Sequence, residues 1–394
     1  MKKALIIFFV ILIAIISVAW LAASFIVPEI LDRKFNAVLL PEAKESLSAR
    51  AKALHSSLLI ADLHDDALIW GRDLLRRKDY GQVDLPRLRE GNVALQVFSV
   101  PTKVPKERGP HGTRADGLNL ITLSALTQIW PPATWFSLNS RALYLAGRLH
   151  DFAEESGGDF RILKTSGHVE QFLSDRQQNV HLTAGLLAIE GLHSLEGNPD
   201  NLEKHFRAGY RILGLVHQFD NEIGGSSYGI EKGGLTEFGR MIIRRMEALH
   251  MTIDLAHASP VLIDDVLEIV TRPVLVSHTG VQGTCDRSRN LSDAHIRAIT
   301  RTGGVIGIGF WSGAVCGVDH GQSIARAIRY VADLVGVEHV ALGSDFDGDK
   351  LPFDVTGMVY ITQTLLDQGF EEDEIRMIMG ENIFRLLREV LPGG

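Results

Sequence analysis

The chain has 394 residues, 45% of them hydrophobic and 22% charged, with a formal net charge of −8. That length suits one large barrel-type domain or two ordinary ones, and the composition fits a globular protein with a sizeable core. Basic and acidic residues are interspersed. No basic cluster has the length or aromatic interleaving of a nucleic-acid surface, so no nucleic-acid partner is expected.

The chain opens on Lys2 and Lys3, then runs apolar from Ala4 to Val27, with only Ser17 and Ser24 polar. As a helix rising 1.5 Å per residue this stretch measures about 36 Å, against roughly 30 Å of bilayer hydrocarbon. A cleaved signal segment has a shorter apolar region, so the length favours a retained anchor; Ala19, Ala22 and Ala23 leave cleavage open. Lys2 and Lys3 favour a cytoplasmic N-terminus, which puts the folded body outside the cytoplasm, on the periplasmic or extracellular side. The expected organisation is an anchor or signal segment at 1–27, a connector at 28–54 and one domain over 55–394. Ala43-Lys44-Glu45 and Ala49 to Lys52 make that connector helix-permissive.

From residue 58 onward, short apolar runs rich in Val, Ile and Leu alternate with amphipathic stretches, the signature of a parallel sheet with crossover helices. Eight runs read as strands: 58–63, 93–99, 182–189, 211–216, 251–255, 274–277, 304–310 and 339–343. Helical patterns fall at 235–250, 260–270, 293–300, 323–335, 359–368 and 373–390. The second connection is long, with helical patterns at 116–128, 138–155 and 166–173. Its first half is punctuated by Pro101, Pro105, Pro110, Pro131 and Pro132. The fold expected is α/β: a (β/α)8 TIM-type barrel with an elaborated second βα connection, preceded by one N-terminal transmembrane helix.

The ends of these runs carry the chemistry. The first ends in His64 and Asp66, the third in Glu190, the fourth in His217, the fifth in His257, the sixth in His278 and the eighth in Asp345. In extended backbone, positions two apart share a side, so His64 and Asp66 reach one point while Asp65 faces away. Asp62 lies on the same side, one step deeper, where a supporting role fits better. In a barrel all strand ends meet on one rim, and imidazoles with carboxylates are the ligands of hydrolytic metals. His64, Asp66, Glu190, His257 and His278 exceed the three protein ligands of one catalytic zinc; with one bridging carboxylate they make two three-ligand sites.

The set His-x-Asp, Glu-Gly-x-His-Ser, Asp-Leu-x-His, Ser-His and Gly-Ser-Asp-Phe-Asp-Gly resembles the membrane dipeptidase (renal dipeptidase) family of zinc peptidases, in order and spacing from about residue 55 to Arg385. The resemblance implies a metal-dependent barrel that cleaves dipeptides, often with a C-terminal D-residue, by a hydroxide held between two Zn2+ ions. It implies that His64 and Asp66 bind one ion, that His257 and His278 bind the other, and that Glu190 bridges them. His217 would stabilise the oxyanion, Asp345 would transfer the proton, and Arg289 would hold the substrate carboxylate, with Arg287 its nearby competitor. Cys285 and Cys316, which spacing alone leaves as one disulfide or two thiols, would be bridged. The partners expected are a dipeptide and the membrane; a homodimer is compatible with the chain and not established by it.

Other readings are weaker. Relatives acting on cyclic amides, lactones or phosphoesters often begin with His-x-His and bridge with a modified lysine, whereas this chain has His-x-Asp and Glu190. A membrane-anchored binding protein on a dead barrel predicts a missing ligand, and no expected position is empty. Gly225-Ser226-Ser227-Tyr228-Gly229 matches the nucleophile-elbow pattern without lying between strand and helix, and reads as a loop near the rim. Asp345-Phe346-Asp347-Gly348-Asp349 lacks the final Glu of a calcium loop. His193 reads as a ligand-orienting group or a turn cap.

Overall fold

A computed structural model describes residues 2–40, 47–106 and 112–393. Ala43, Lys44, Glu45 and Pro110, named above, lie outside the described residues. All the described strands pair in parallel. They are β1 (Ile60–Asp65), β2 (Val93–Pro101), β3 (Phe160–Ile162), β4 (Thr183–Glu190), β5 (Tyr210–Gly214), β6 (Thr252–Asp254), β7 (Leu275–Thr279), β8 (Val305–Ile308) and β9 (Val340–Leu342). β1 pairs with β2 and β9, β2 pairs with β4, and β4 to β9 follow in order, so eight strands close a barrel. Each expected run holds one of them. Every residue of β1, β2 and β4 is buried, as strands covered on both faces require.

β3 was not expected. It is a three-residue strand in the second connection that pairs with the start of β4 at Thr183–Gly185. A run of Phe160, Arg161 and Ile162 is too short to show a period. The rest of that connection is helical, at Leu120–Thr127, Ala133–Phe136, Leu138–Glu155 and Ser166–Gln178.

The end of the barrel away from the strand tips is closed by the C-terminal helix Asn382–Val390. The Asn382 amide donates to the carbonyls of Val337, in the turn before β9, and Val340, its first residue, and Arg272, just before β7, donates to those of Glu389 and Val390. Phe384 stacks on Phe172 with ring centroids 6.1 Å apart. The helix expected over 373–390 is broken: Glu372–Arg376 and Asn382–Val390 flank a wide turn at Met377–Glu381. Gly380 allows it, because a Cβ there would fall 1.9 Å from the Leu59 carbonyl oxygen.

The N-terminal helix is continuous from Lys2 to Phe35, running through Pro28 rather than ending at Val27. It is the one described helix long and apolar enough to cross a membrane. From Trp20 onward one side of it meets the barrel: the Trp20 indole donates to the Leu126 carbonyl and packs edge-on against Trp135. A second helix, Ala49–Ser57, is capped by Ser48, whose hydroxyl accepts from the Ala51 amide.

Candidate metal centre

β1 carries His64 inside the strand and Asp66 one step past it, so both point to the barrel axis at its carboxyl end. Asp65 turns away, its carboxylate accepting from the Ala67 amide. Asp62 is fully buried below them, accepting from the Ser344 amide and hydroxyl and from the Gln96 side chain. It thereby ties the ends of β1, β2 and β9 together. Asp254 does the same between β6 and β7, accepting from the Ala256 and Ser277 amides at 2.9 Å each. Asp254, Ser344 and Gln96 were not singled out from sequence; an Asp inside an apolar run, as at 62 and 254, is the signal that marks such a brace.

Glu190, the last residue of β4, is the centre of the arrangement. One of its oxygens lies 2.9 Å from His257 Nε2, 3.5 Å from His278 Nε2 and 3.8 Å from His64 Nε2. The other lies 3.2 Å from His217 Nε2. His64 Nε2 is 3.7 Å from an oxygen of Asp66 and 3.7 Å from one of Asp345, and the His257 and His278 Nε2 atoms are 2.9 Å apart. Gly191 makes this crowding possible, because a Cβ at its φ of 88° would lie 2.7 Å from His193 Nδ1. His257 and Asp345 also have positive φ, at 63° and 67°. Such backbone strain in non-glycine residues gathers at functional sites.

The donor atoms of His64, Asp66 and Glu190 all lie within 4.8 Å of one another, as do those of Glu190, His217 and His257 and those of His64, His278 and Asp345. Several have no hydrogen-bond partner although buried: His64 Nε2, one Asp66 oxygen, one Glu190 oxygen and His257 Nδ1. Burial raises the Glu190 carboxyl well above the usual range, and neighbouring Asp66 adds to it. Burial likewise lifts Asp345 to about 7, against the pull of His64. Burial, with the Arg289 cation, drives His257 well down. Burial also opposes the charged form of His64, yet Asp66, Glu190 and Asp345 around it raise it to about 10. The buried carboxylates of Asp66 and Glu190 and the partly buried one of Asp345, around a single imidazolium, are short of positive charge. Divalent cations held by the orphaned donors would supply it, so the residues fit a metal centre.

The cleft above these residues has a volume of about 670 Å³. Arg289 is buried at its side, donating to the His278 carbonyl at 2.9 Å and to the Thr279 hydroxyl at 3.2 Å, with its Nε unpartnered. Arg287 also lines the cleft but is exposed. The loop carrying both arginines is pinned by a disulfide between Cys285 and Cys316. Tyr228 and Trp311, absent from the sequence reading of the site, set their rings 5.8 Å from His257 and 5.7 Å from His278. The Gly225–Gly229 loop folds over the rim, its Ser226 hydroxyl donating to the His217 carbonyl. His193 packs against Phe219, and burial lowers it to about 3. Trp130 is buried and donates to the Gln128 side chain.

A closed parallel barrel with imidazoles and carboxylates gathered at its carboxyl rim defines a metallohydrolase of the TIM-barrel type. The family model described as "Membrane dipeptidase (Peptidase family M19)" matches residues 48–391, and the chain belongs to that family of metal-dependent peptidases. It is 29% identical to dipeptidase aclJ of Aspergillus oryzae over 90% of this chain and 85% of the relative. It is 30% identical to dipeptidase verJ of Clonostachys rogersoniana over 61% of this chain and 63% of the relative. Among solved structures, a metallopeptidase of Rhodobacter sphaeroides liganded with a phosphinate mimic of the dipeptide L-Ala-D-Ala superposes with a TM-score of 0.71. That protein is 25% identical, over 84% of this chain and 99% of its own. Dipeptidase AC, a metallopeptidase, shares the fold with a TM-score of 0.71 at 24% identity, over 85% and 99% of the two chains.

Proposed function

We propose that this chain is a zinc dipeptidase that hydrolyses the peptide bond of dipeptides, including those with a C-terminal D-residue. The observation that carries the reading is the convergence of the His64, His257 and His278 Nε2 atoms within 3.8 Å of one Glu190 oxygen. His64, Asp66 and Glu190 would hold one Zn2+, and Glu190, His257 and His278 the second. When bound, such ions lower the pKa of water and polarise a carbonyl, which makes a hydrolytic nucleophile available near neutral pH.

The remaining roles belong to the chain's own groups. Asp345, beside His64, accepts the proton of the attacking water and returns it to the leaving amine. His217, held at Nδ1 by the Lys103 carbonyl at 3.2 Å and set beside Glu190, stabilises the oxygen that gains charge. Arg289, fixed by two hydrogen bonds, clamps the substrate's free carboxylate with its remaining donors. A clamp at that depth limits the substrate to very short peptides, because a longer chain has no carboxylate there. The accommodation of a D-residue is supported by the L-Ala-D-Ala mimic in the Rhodobacter peptidase. The N-terminal helix would anchor the enzyme in the membrane with the barrel outside the cytoplasm, as Lys2 and Lys3 favour.

The test is the full chain, purified in detergent and assayed on L,L- and L,D-dipeptides, tripeptides and a lactone. Cleavage of both dipeptide series with tripeptides intact is expected. Activity on the lactone with none on dipeptides would refute the reading.

A further inference from the structure

The family match begins at residue 48, yet the cleft is lined by Leu31 and Phe35, which lie before it on the N-terminal helix. We propose that the last two turns of this helix are a wall of the substrate cleft and select for dipeptides with a large apolar side chain. The inference rests on the dipeptidase reading and adds its side-chain preference.

The contact runs directly to the metal centre. Asp66 is followed at once by the turn Ala67–Trp70, and Trp70 lines the cleft. Phe35 stacks on Trp70 with ring centroids 6.2 Å apart and planes inclined by 30°. The Trp70 indole in turn donates to the Asp347 carbonyl at 2.7 Å, two residues from Asp345. With Ile69 and Ile121, these side chains make one side of the cleft apolar. Apolar surface facing a ligand site contributes when a side chain of matching character covers it.

The wall is held by more than packing. Asp32, between Leu31 and Phe35, is fully buried and lies 3.1 Å from Arg72 Nε; Arg72 also pairs with buried Asp347. Asn36 donates to Asp32, and Gln82 links the Asn36 and Asp349 carbonyls. Leu39 and Leu40 then donate to the carbonyls of Leu351 and Pro352. A helix end tied by a buried ion network to the loop that bears Asp345 stays where the substrate meets it. Breaking such a buried pair is costly, so the segment remains docked.

The experiment compares kcat/KM for a leucyl or phenylalanyl dipeptide with that for a glycyl dipeptide, in the full chain and in Phe35→Ala and Phe35→Trp. Equal melting temperature and metal content establish that the variants fold. Truncation at 35 is expected to lower the apolar-to-glycyl ratio about tenfold, mainly through KM, the low end for a lost contact in an apolar pocket. Phe35→Trp, which takes up more of the cleft, is expected to shift preference toward smaller side chains. Ratios within twofold of the unsubstituted chain in both variants would overturn the wall while leaving the dipeptidase reading intact. Failure of the unsubstituted chain to cleave any dipeptide would overturn that reading and this inference with it.

Discussion

The two ends of the barrel obey opposite rules. At the end closed by the C-terminal helix, the buried His55 has both ring nitrogens bonded, one to Thr362 at 2.9 Å and one to the Gly91 carbonyl at 3.2 Å. Phe172, Phe384, Leu387 and Val390 belong to one buried apolar cluster. At the rim, carboxylates and imidazoles are buried together, several without partners, on backbone that takes positive φ at His257 and Asp345. Folding alone gains nothing from that crowding, since each orphaned buried polar atom costs about 1–3 kcal/mol. The stable end holds the shape that lets the unstable end exist.

The largest effect should come from the rim. Asp345→Asn preserves shape, and Asn tolerates the left-handed backbone found there. Its kcat on a dipeptide should drop by about 10² to 10⁴, the usual range for a proton-transfer group, with stability and metal content kept. A near-wild-type kcat would remove Asp345 from the chemistry. At the closed end the expectation reverses. Phe384→Ala should destabilise by about 3–5 kcal/mol in urea unfolding, while kcat of the folded fraction changes less than twofold. A loss of kcat without loss of stability would show that the two ends are not separable.

The smallest effect is a pH dependence at the closed end. Burial pushes the His55 imidazole down to about 4, against about 6.5 when unfolded. Below 6.5 the unfolded chain binds the extra proton, so the stability that neutral His55 allows is intact above 6.5 and is lost as pH falls toward 4. By pH 5 the loss is about 2 kcal/mol. His55→Gln should flatten the stability profile between pH 7 and 5 by that amount. An unchanged slope would mean that His55 is not held neutral.

The same contrast explains what the sequence disclosed. Apolar runs alternating with amphipathic stretches announce parallel strands, so all eight barrel strands were legible before any coordinate, and in six of them a terminal His, Asp or Glu also announced the functional tip. So were the residues from His64 to Asp345 that the rim brings together. What stayed hidden depends on contacts between distant positions. Residues 28–40 read as a charged connector because nothing local shows that Asp32 will meet Arg72, or that Phe35 will meet Trp70. Asp254 read as part of an apolar run until its amide partner Ser277 on β7 was visible. The break at Gly380 exists because of the Leu59 carbonyl, more than three hundred positions away in sequence. The Cys285–Cys316 bridge, which family resemblance implied and spacing left open, is formed.

The central claim is that the rim is a two-metal centre organised on Glu190. Elemental analysis of the full chain, paired with dipeptide turnover before and after chelation, tests it most directly. About two divalent ions per chain are expected, with turnover abolished by chelator and restored by zinc. Glu190→Gln should bind fewer than one ion and lose turnover by at least about a hundredfold, as removal of a ligand shared by both ions requires. A metal-free chain that still cleaves dipeptides, or a Glu190→Gln chain with both ions and full turnover, would contradict the account.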